Sequence, residues 1–240
     1  MAVGDTHREP IVRFADASTG REVVRATDPA FHCHHCYFYE NPFTPDGRLL
    51  VYVSNRTGKR NLFLLDLASG DSVQLTDCRR LGDFHYCVSR DGSFLVYVED
   101  NQIRRLDLAT LRDRTLYVQS YPWNRRGVYP GFDTSLTQAL VCQIHAEDVV
   151  PAGDSGWASF PRQFEAKPRC RLVLVDLESG REQVVLEERI WLGHPQIRPG
   201  DPGTLMYCHE GPWNRVACRM WLISSDGSNK RPVGYWEPHP

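Results

Sequence analysis

Apolar residues along this chain are grouped in short runs, and each run follows a turn-forming segment. The clearest turns are TPDG and SRDG, whose aspartates Asp46 and Asp91 are 45 residues apart. Asp-Gly suits tight connections between antiparallel strands because both residues tolerate a positive φ. The unit of turn plus apolar run predicts β-strands that recur at a regular interval, with copies at 44–53, 89–98, 133–144 and 199–208.

A second element follows each of these units. It is a strand that ends in aspartate or a polar residue, then a turn of small residues, then usually another strand. The copies lie at 62–75, 103–117, 172–186 and 221–228, and an unpaired turn of the same kind, 16–20, opens the chain. Such spacing predicts an all-β fold, a β-propeller of four-stranded antiparallel blades. A helical solenoid would need apolar residues at i, i+3 and i+4, and a β-sandwich would not repeat this unit four times.

The repeats predict a single propeller domain over residues 1–240, with about five blades. An insertion at 149–168 interrupts the third repeat and holds Trp157, Phe160 and Phe164. Insertions between propeller strands emerge on one face, so this segment is either the rim of a binding site or a packed excursion.

Composition and charge narrow the classes of function. The chain has 28 basic and 30 acidic residues, a net charge of −2, so we expect no nucleic-acid partner. No run approaches the roughly 18 apolar residues of a membrane span, and residues 1–14 lack the apolar stretch of a signal peptide. We expect no membrane partner, and we interpret the eight cysteines as mostly reduced, buried thiols of a cytoplasmic protein.

Histidine and cysteine are concentrated at residues 31–39, which read FHCHHCYFY. Cys33 and Cys36 have the spacing of a zinc knuckle, but no second pair matches it. The favoured interpretation is the innermost strand of a blade, and structural zinc is the alternative.

Two further segments, 191–199 and 208–221, combine His and Arg with Trp and Gly at the edges of predicted strands. Arginine forms a fork for carboxylates, histidine supplies hydrogen bonds, and tryptophan covers a sugar ring. The chain has no phosphate-binding glycine loop, nucleophile elbow or HExxH zinc helix. These residues favour a propeller that binds an acidic carbohydrate, with purely structural histidines as the alternative.

The same segments carry a family resemblance. In order along the chain, residues 33–39, 43–47, 61–67, 191–195 and 208–229 resemble the oligogalacturonate lyases, and CHEGP at 208–212 is the most distinctive motif. The resemblance implies a seven-bladed, usually intracellular propeller of pectin catabolism. Such an enzyme cleaves short oligogalacturonides by β-elimination to unsaturated uronates and depends on a divalent metal, typically manganese.

The resemblance also implies residue roles. Arg219 matches the active-site arginine of the family, so we expect it to stabilise the negative charge of the reaction. His34, His194, Arg198 and His209 lie in matching motifs and are expected to line the substrate channel.

The remaining family motifs are expected to follow residue 240. They include the HEFW segment with the proposed base and the histidines and glutamine that bind metal, so His239 is not assigned to them. We therefore expect an N-terminal portion of such a lyase, truncated at its C-terminus and without its manganese ligands. The alternative function is a non-catalytic propeller, either a scaffold or an acidic-carbohydrate-binding module.

Overall fold

The structure is a computed structural model that describes residues 1–123, 128–151 and 159–234. Trp157 and His239, both considered in the sequence, lie outside these described residues. The chain divides into two compact units. The first comprises Met1–Glu99 with Arg105–Arg114, and the second Asp100–Arg104 with Thr115–Pro240.

The first half of the chain contains short antiparallel strands, as the turn spacing predicts. They are β1 (Thr6–Arg8), β2 (Val12–Ala15), β3 (Glu22–Arg25), β4 (Cys33–His34), β5 (Leu49–Ser54), β6 (Asn61–Asp66), β7 (Asp71–Gln74), β8 (Leu81–Val88), β9 (Phe94–Glu99), β10 (Gln102–Asp107) and β11 (Asp113–Val118). They form a five-stranded sheet β1-β7-β6-β5-β4, a four-stranded sheet β11-β10-β9-β8, and a two-stranded ribbon β2-β3.

The second half repeats the four-stranded plan twice. Its strands are β12 (Pro130–Phe132), β13 (Gln138–Ile144), β14 (Cys170–Asp176), β15 (Glu182–Glu188), β16 (Leu192–Ile197), β17 (Thr204–His209), β18 (Met220–Ser224) and β19 (Arg231–Pro232). The sheet orders are β12-β13-β14-β15 and β16-β17-β18-β19, both simple meanders.

Helix is scarce in the part of the chain that the structure describes. A 3₁₀ turn, Ala146–Asp148, and helix α1, Phe160–Glu165, both fall between β13 and β14; the turn ends just before the predicted insertion at 149–168, and the helix lies within it. None of the described helices is long and apolar enough to span a membrane.

The aspartate turns form as their sequences predict. The Asp66 carboxylate accepts hydrogen bonds from the backbone N–H groups of Ala68 and Ser69, and Gly70 closes the turn at φ +79°. Asp176 does the same before Gly180, and hydrogen bonds from Ser179 hold the pKa of its carboxyl below the usual range. The side chain replaces the missing strand partner, so the chain can reverse in a few residues.

The segment 33–39 forms a shorter strand than the sequence predicts. Only Cys33–His34 is a strand, β4, and it lies at one edge of the first sheet beside β5, so its role as the innermost strand of a blade stays a prediction. Strand β1 extends the other edge of that sheet, with Thr6 opposite Val73. The register of this pair joins positions more than sixty residues apart.

Each unit has its own apolar core. In the first, residues of β5, β6, β8 and β9 pack together, including Val51, Leu62, Tyr86, Leu95 and Tyr97. In the second, residues of β13, β14, β16 and β17 do so, including Leu140, Leu172, Ile197, Leu205 and Tyr207. All eight cysteines are free thiols, and five of them are buried. The cores rest on the inward-facing residues of the apolar runs seen in the sequence.

Candidate active site

The β16–β17 hairpin and the start of β18 bring His194, Glu210 and Arg219 together. The hairpin register shifts between Gly193 and Gln196, and His194 takes a positive φ of +46° in this bulge. The backbone N–H of His209 donates to the Arg219 carbonyl at 2.8 Å, which closes the loop between β17 and β18. The three side chains thus meet through local geometry within one sheet.

Glu210 is the centre of this group. Its Oε2 accepts a hydrogen bond from Arg219 Nη2 at 2.8 Å, and its Oε1 lies 3.2 Å from His194 Nε2. Arg219 Nη1 donates to the Gly211 carbonyl, also at 2.8 Å. The Glu210 side chain is 7% exposed, whereas that of Arg219 is 36% exposed. A buried carboxylate therefore holds an arginine that remains accessible to solvent.

Two glycines allow close packing around Glu210 and Phe164. A Cβ at Gly193 would lie 2.4 Å from Glu210 Oε1, and a Cβ at Gly211 would lie 2.4 Å from the ring of Phe164. Gly211 also has a φ of +153°, which side chains disfavour. The backbone of Gly193 can lie against the Glu210 carboxylate, and that of Gly211 against the Phe164 ring, because neither residue has a side chain.

Gly193→Ala is expected to destabilise the protein by about 1–3 kcal/mol, because the added methyl group forces Glu210 away. Thermal or urea unfolding measures the loss. Gly203→Ala is the matched control, since its Cβ would approach only the exposed Asp201 carboxylate, at 3.3 Å. Equal stability of the two variants would contradict the close packing described for Gly193.

His209 lies in a second polar group. Its ring stacks on Trp221 with centroids 4.8 Å apart, and its Nε2 is 3.7 Å from Glu188 Oε2. Glu188 is also paired with Lys230. Burial lowers the pKa of His209 despite the nearby Glu188 carboxylate. His209 is therefore predominantly a neutral imidazole near neutral pH.

The described part of the insertion packs against residues just before β16 and just after β17. Phe160 contacts Trp191 with ring centroids 4.8 Å apart, and Phe164 lies against Gly211. Arg215 crosses the Phe164 ring at 4.8 Å and pairs with Glu165 at 2.9 Å. Residues 159–168 thus pack beside the loop that carries Gly211, and both interpretations of the insertion stay predictions.

Arg198 and His34 have other partners. Arg198 lies at the turn end of the β16–β17 hairpin, with Asp201 as its ion-pair partner at 3.7 Å, and it is 66% exposed. His34 belongs to the first unit, where its ring packs on Phe84 at 4.8 Å beside an aromatic cluster centred on Tyr37. The substrate-binding role expected for both residues stays a prediction.

The sequence did not single out the carboxylates of this site. Glu210 was noticed only as part of the CHEGP motif, and Glu188 and Lys230 lie in segments without a motif. Glu188 ends strand β15, and only the fold brings it to His209. Apart from the motif around Glu210, no local signal could have found them.

The arrangement can bind an anion and can position histidines beside it. A guanidinium has five N–H donors, and the contacts to Glu210 and Gly211 use two of them, so others remain for a carboxylate fork. Within the described ranges, no group of three or more His, Cys, Asp or Glu side chains is placed to hold a metal ion. Structural zinc at Cys33 and Cys36 stays an untested alternative.

Comparison with known proteins gives a consistent picture. The family profile described as oligogalacturonate lyase matches residues 1–238. The oligogalacturonide lyase of Pectobacterium atrosepticum is 38% identical over 97% of this chain and 60% of its own length. The oligogalacturonate lyase of Dickeya dadantii is 38% identical over 92% of this chain and 56% of its own length. The chain therefore spans about three fifths of the curated relatives that it matches.

A solved structure shows the same fold. It is described as an oligogalacturonate lyase in complex with manganese, and it matches 98% of this chain and 62% of its own with a TM-score of 0.92 and 39% identity. The prediction of an all-β propeller fold with four-stranded antiparallel blades is confirmed by this likeness and by the sheet orders.

Proposed function

The chain belongs to the oligogalacturonate lyase family, and on that premise we propose that the protein cleaves short oligogalacturonides by β-elimination. The observation that carries the proposal is the partly exposed guanidinium of Arg219, which two hydrogen bonds hold in one orientation. The substrate is an anionic sugar chain, so an oriented cation with unused donors is the group that its recognition needs.

The chemistry explains why an arginine matters. In β-elimination a base removes the proton on C5, next to the C6 carboxylate, and the C4–O bond then breaks to leave an unsaturated uronate. An ordinary carboxylate makes that proton a very weak acid, because removal adds a second negative charge to the same group. A cation on the carboxylate stabilises this developing charge. We assign that role to Arg219.

The other residues take supporting parts in the proposal. His194 lies beside Glu210, and His209, kept neutral by burial, offers a ring nitrogen for hydrogen bonding. His34 and Arg198 are proposed substrate contacts on the family resemblance alone. None of these residues is assigned as the base.

Manganese enters the proposal through the relative solved in complex with it. We propose that the protein uses Mn²⁺ and do not assign its ligands, because the described residues include no group of three His, Cys, Asp or Glu side chains placed around one point. The role proposed for Arg219 does not depend on the metal.

We also propose that the protein works in the cytoplasm, in the catabolism of pectin fragments. Its eight cysteines are free, and reducing compartments keep thiols in that state.

The assay uses a full-length lyase that carries this chain, purified and incubated with short oligogalacturonides in the presence and absence of Mn²⁺. Release of unsaturated uronate is followed by the ultraviolet absorbance of its conjugated double bond. Metal-dependent product formation is the expected result. Binding of the oligosaccharide without any product would instead support the non-catalytic carbohydrate-binding alternative.

A further inference from the structure

We propose that Glu210 is the positioning residue of this site, which fixes the Arg219 guanidinium for the substrate carboxylate. The inference rests on the proposed function and deepens it. Glu210 itself is buried and touches no substrate in this role. It acts through the hydrogen bond to Arg219 Nη2 and through its contact with His194.

The first argument is geometric. Arg219 is held at two points, Nη2 by Glu210 and Nη1 by the Gly211 carbonyl, each at 2.8 Å. Two bonds to different nitrogens of a planar group fix both its position and the direction of its plane. The Nε–H and the second hydrogens of Nη1 and Nη2 then keep constant directions, as bidentate binding of a carboxylate requires.

The second argument is that the surroundings of Glu210 restrict the position of its side chain. Its backbone N–H donates to the Trp191 carbonyl at 2.8 Å, and the backbone of Gly193 packs closely against Oε1. A buried carboxylate without partners is costly, so the side chain stays with Arg219 and His194. The pKa of the neighbouring Cys208 thiol is raised to about 11, first by burial and then by the Glu210 charge.

The third argument concerns charge. A full negative charge beside Arg219 weakens its attraction for a substrate carboxylate. If the site served only to bind the substrate tightly, a carboxylate at this position would be unfavourable. The carboxylate is consistent with a site in which orientation matters more than net charge. Displacement of a catalytic group by about 1 Å can lower the rate by roughly 10²-fold.

The test compares Glu210→Gln, Arg219→Ala and the double variant in a full-length lyase that carries this chain. Glutamine keeps the shape of the side chain but loses its charge and one acceptor. We expect Glu210→Gln to lower kcat by about 10- to 10²-fold and to change KM by less than about threefold. In the Arg219→Ala background the same substitution should change kcat by less than about threefold, because Glu210 acts through Arg219.

Glu22→Gln is the matched control. Glu22 in β3 pairs with Arg13 at 2.9 Å in the first unit, and both side chains are more than half exposed. Loss of this ion pair should leave kcat within about twofold of wild type, since exposed pairs contribute little. Glu210→Asp is the second variant, in case the glutamine variant fails to fold: it keeps the charge, withdraws the carboxylate by one methylene, and should also lower kcat.

The outcomes separate the two proposals. Equal losses from Glu210→Gln with and without Arg219 would mean a general structural role and would overturn the positioning role. Unchanged kcat in both Glu210 variants would also overturn it, while a large loss in Arg219→Ala would leave the proposed function standing. Near-wild-type activity of Arg219→Ala would instead refute the proposed function.

Discussion

Arg219→Ala is expected to lower the formation of unsaturated product by about 10²- to 10³-fold in a full-length lyase that carries this chain. Removal of one preorganised donor from a partly dehydrated site typically has an effect of that size on kcat. Arg219→Lys should recover only part of the activity, because an ammonium is a point charge and cannot reproduce a planar fork. The activities of the wild type, Arg219→Ala and Arg219→Lys are compared as initial rates of the change in ultraviolet absorbance.

Arg215→Ala provides the control for this substitution. Arg215 is on the same segment before β18, but it is about half exposed and pairs with Glu165 on helix α1. Its loss should leave the rate close to wild type. If Arg219→Ala retained the activity of that control, Arg219 would not stabilise the charge of the reaction.

The second large effect is expected at Glu9, in the first unit. The Glu9 carboxylate is fully buried and accepts a hydrogen bond from Tyr52 at 2.6 Å, lies 3.1 Å from His7, and pairs with Arg56, itself 7% exposed. The backbone N–H of Asp28 also donates to it at 2.7 Å. Glu9→Ala leaves the Arg56 charge buried without a partner, so the free energy of unfolding should fall by about 3–5 kcal/mol.

Urea denaturation of the 240-residue chain measures this effect. Asp77→Ala is the comparison, because the pair of Asp77 with Lys59 at 2.7 Å is exposed on both sides and should contribute less than about 1 kcal/mol. Glu9→Gln should lie between the two, since it keeps the shape but not the charge. A Glu9→Ala variant as stable as Asp77→Ala would show that Arg56 finds another partner.

The sequence predicted the strands and turns that depend on residues close together along the chain. The strands β5 and β9 and the turns at Asp66 and Asp176 follow from local alternation and turn chemistry, and all are present. Strand β1 was missed because Thr6–Arg8 has no pattern of its own, and its partner lies far along the chain. The formation of β1 depends on its pairing with β7 in the tertiary structure.

The candidate site shows the same division. The CHEGP motif pointed to the segment that holds Glu210 and Arg219, but only the structure shows that Arg219 lies beside a buried carboxylate and Arg198 in an exposed turn. Glu188 reaches His209 only because β15 and β17 lie in neighbouring sheets. Pairings across sheets depend on a register that single-sequence patterns do not encode.

The contact between Phe164 and Gly211 also limits how such proteins diverge. Any side chain at position 211 would overlap the Phe164 ring and would need a less favourable backbone conformation. The same side chain would also overlap Val216, so a substitution at 211 can be accepted only after positions 164 and 216 both change. In an alignment of relatives, a non-glycine residue at 211 should occur together with smaller residues at 164 and 216, so the insertion and the loop before β18 evolve together.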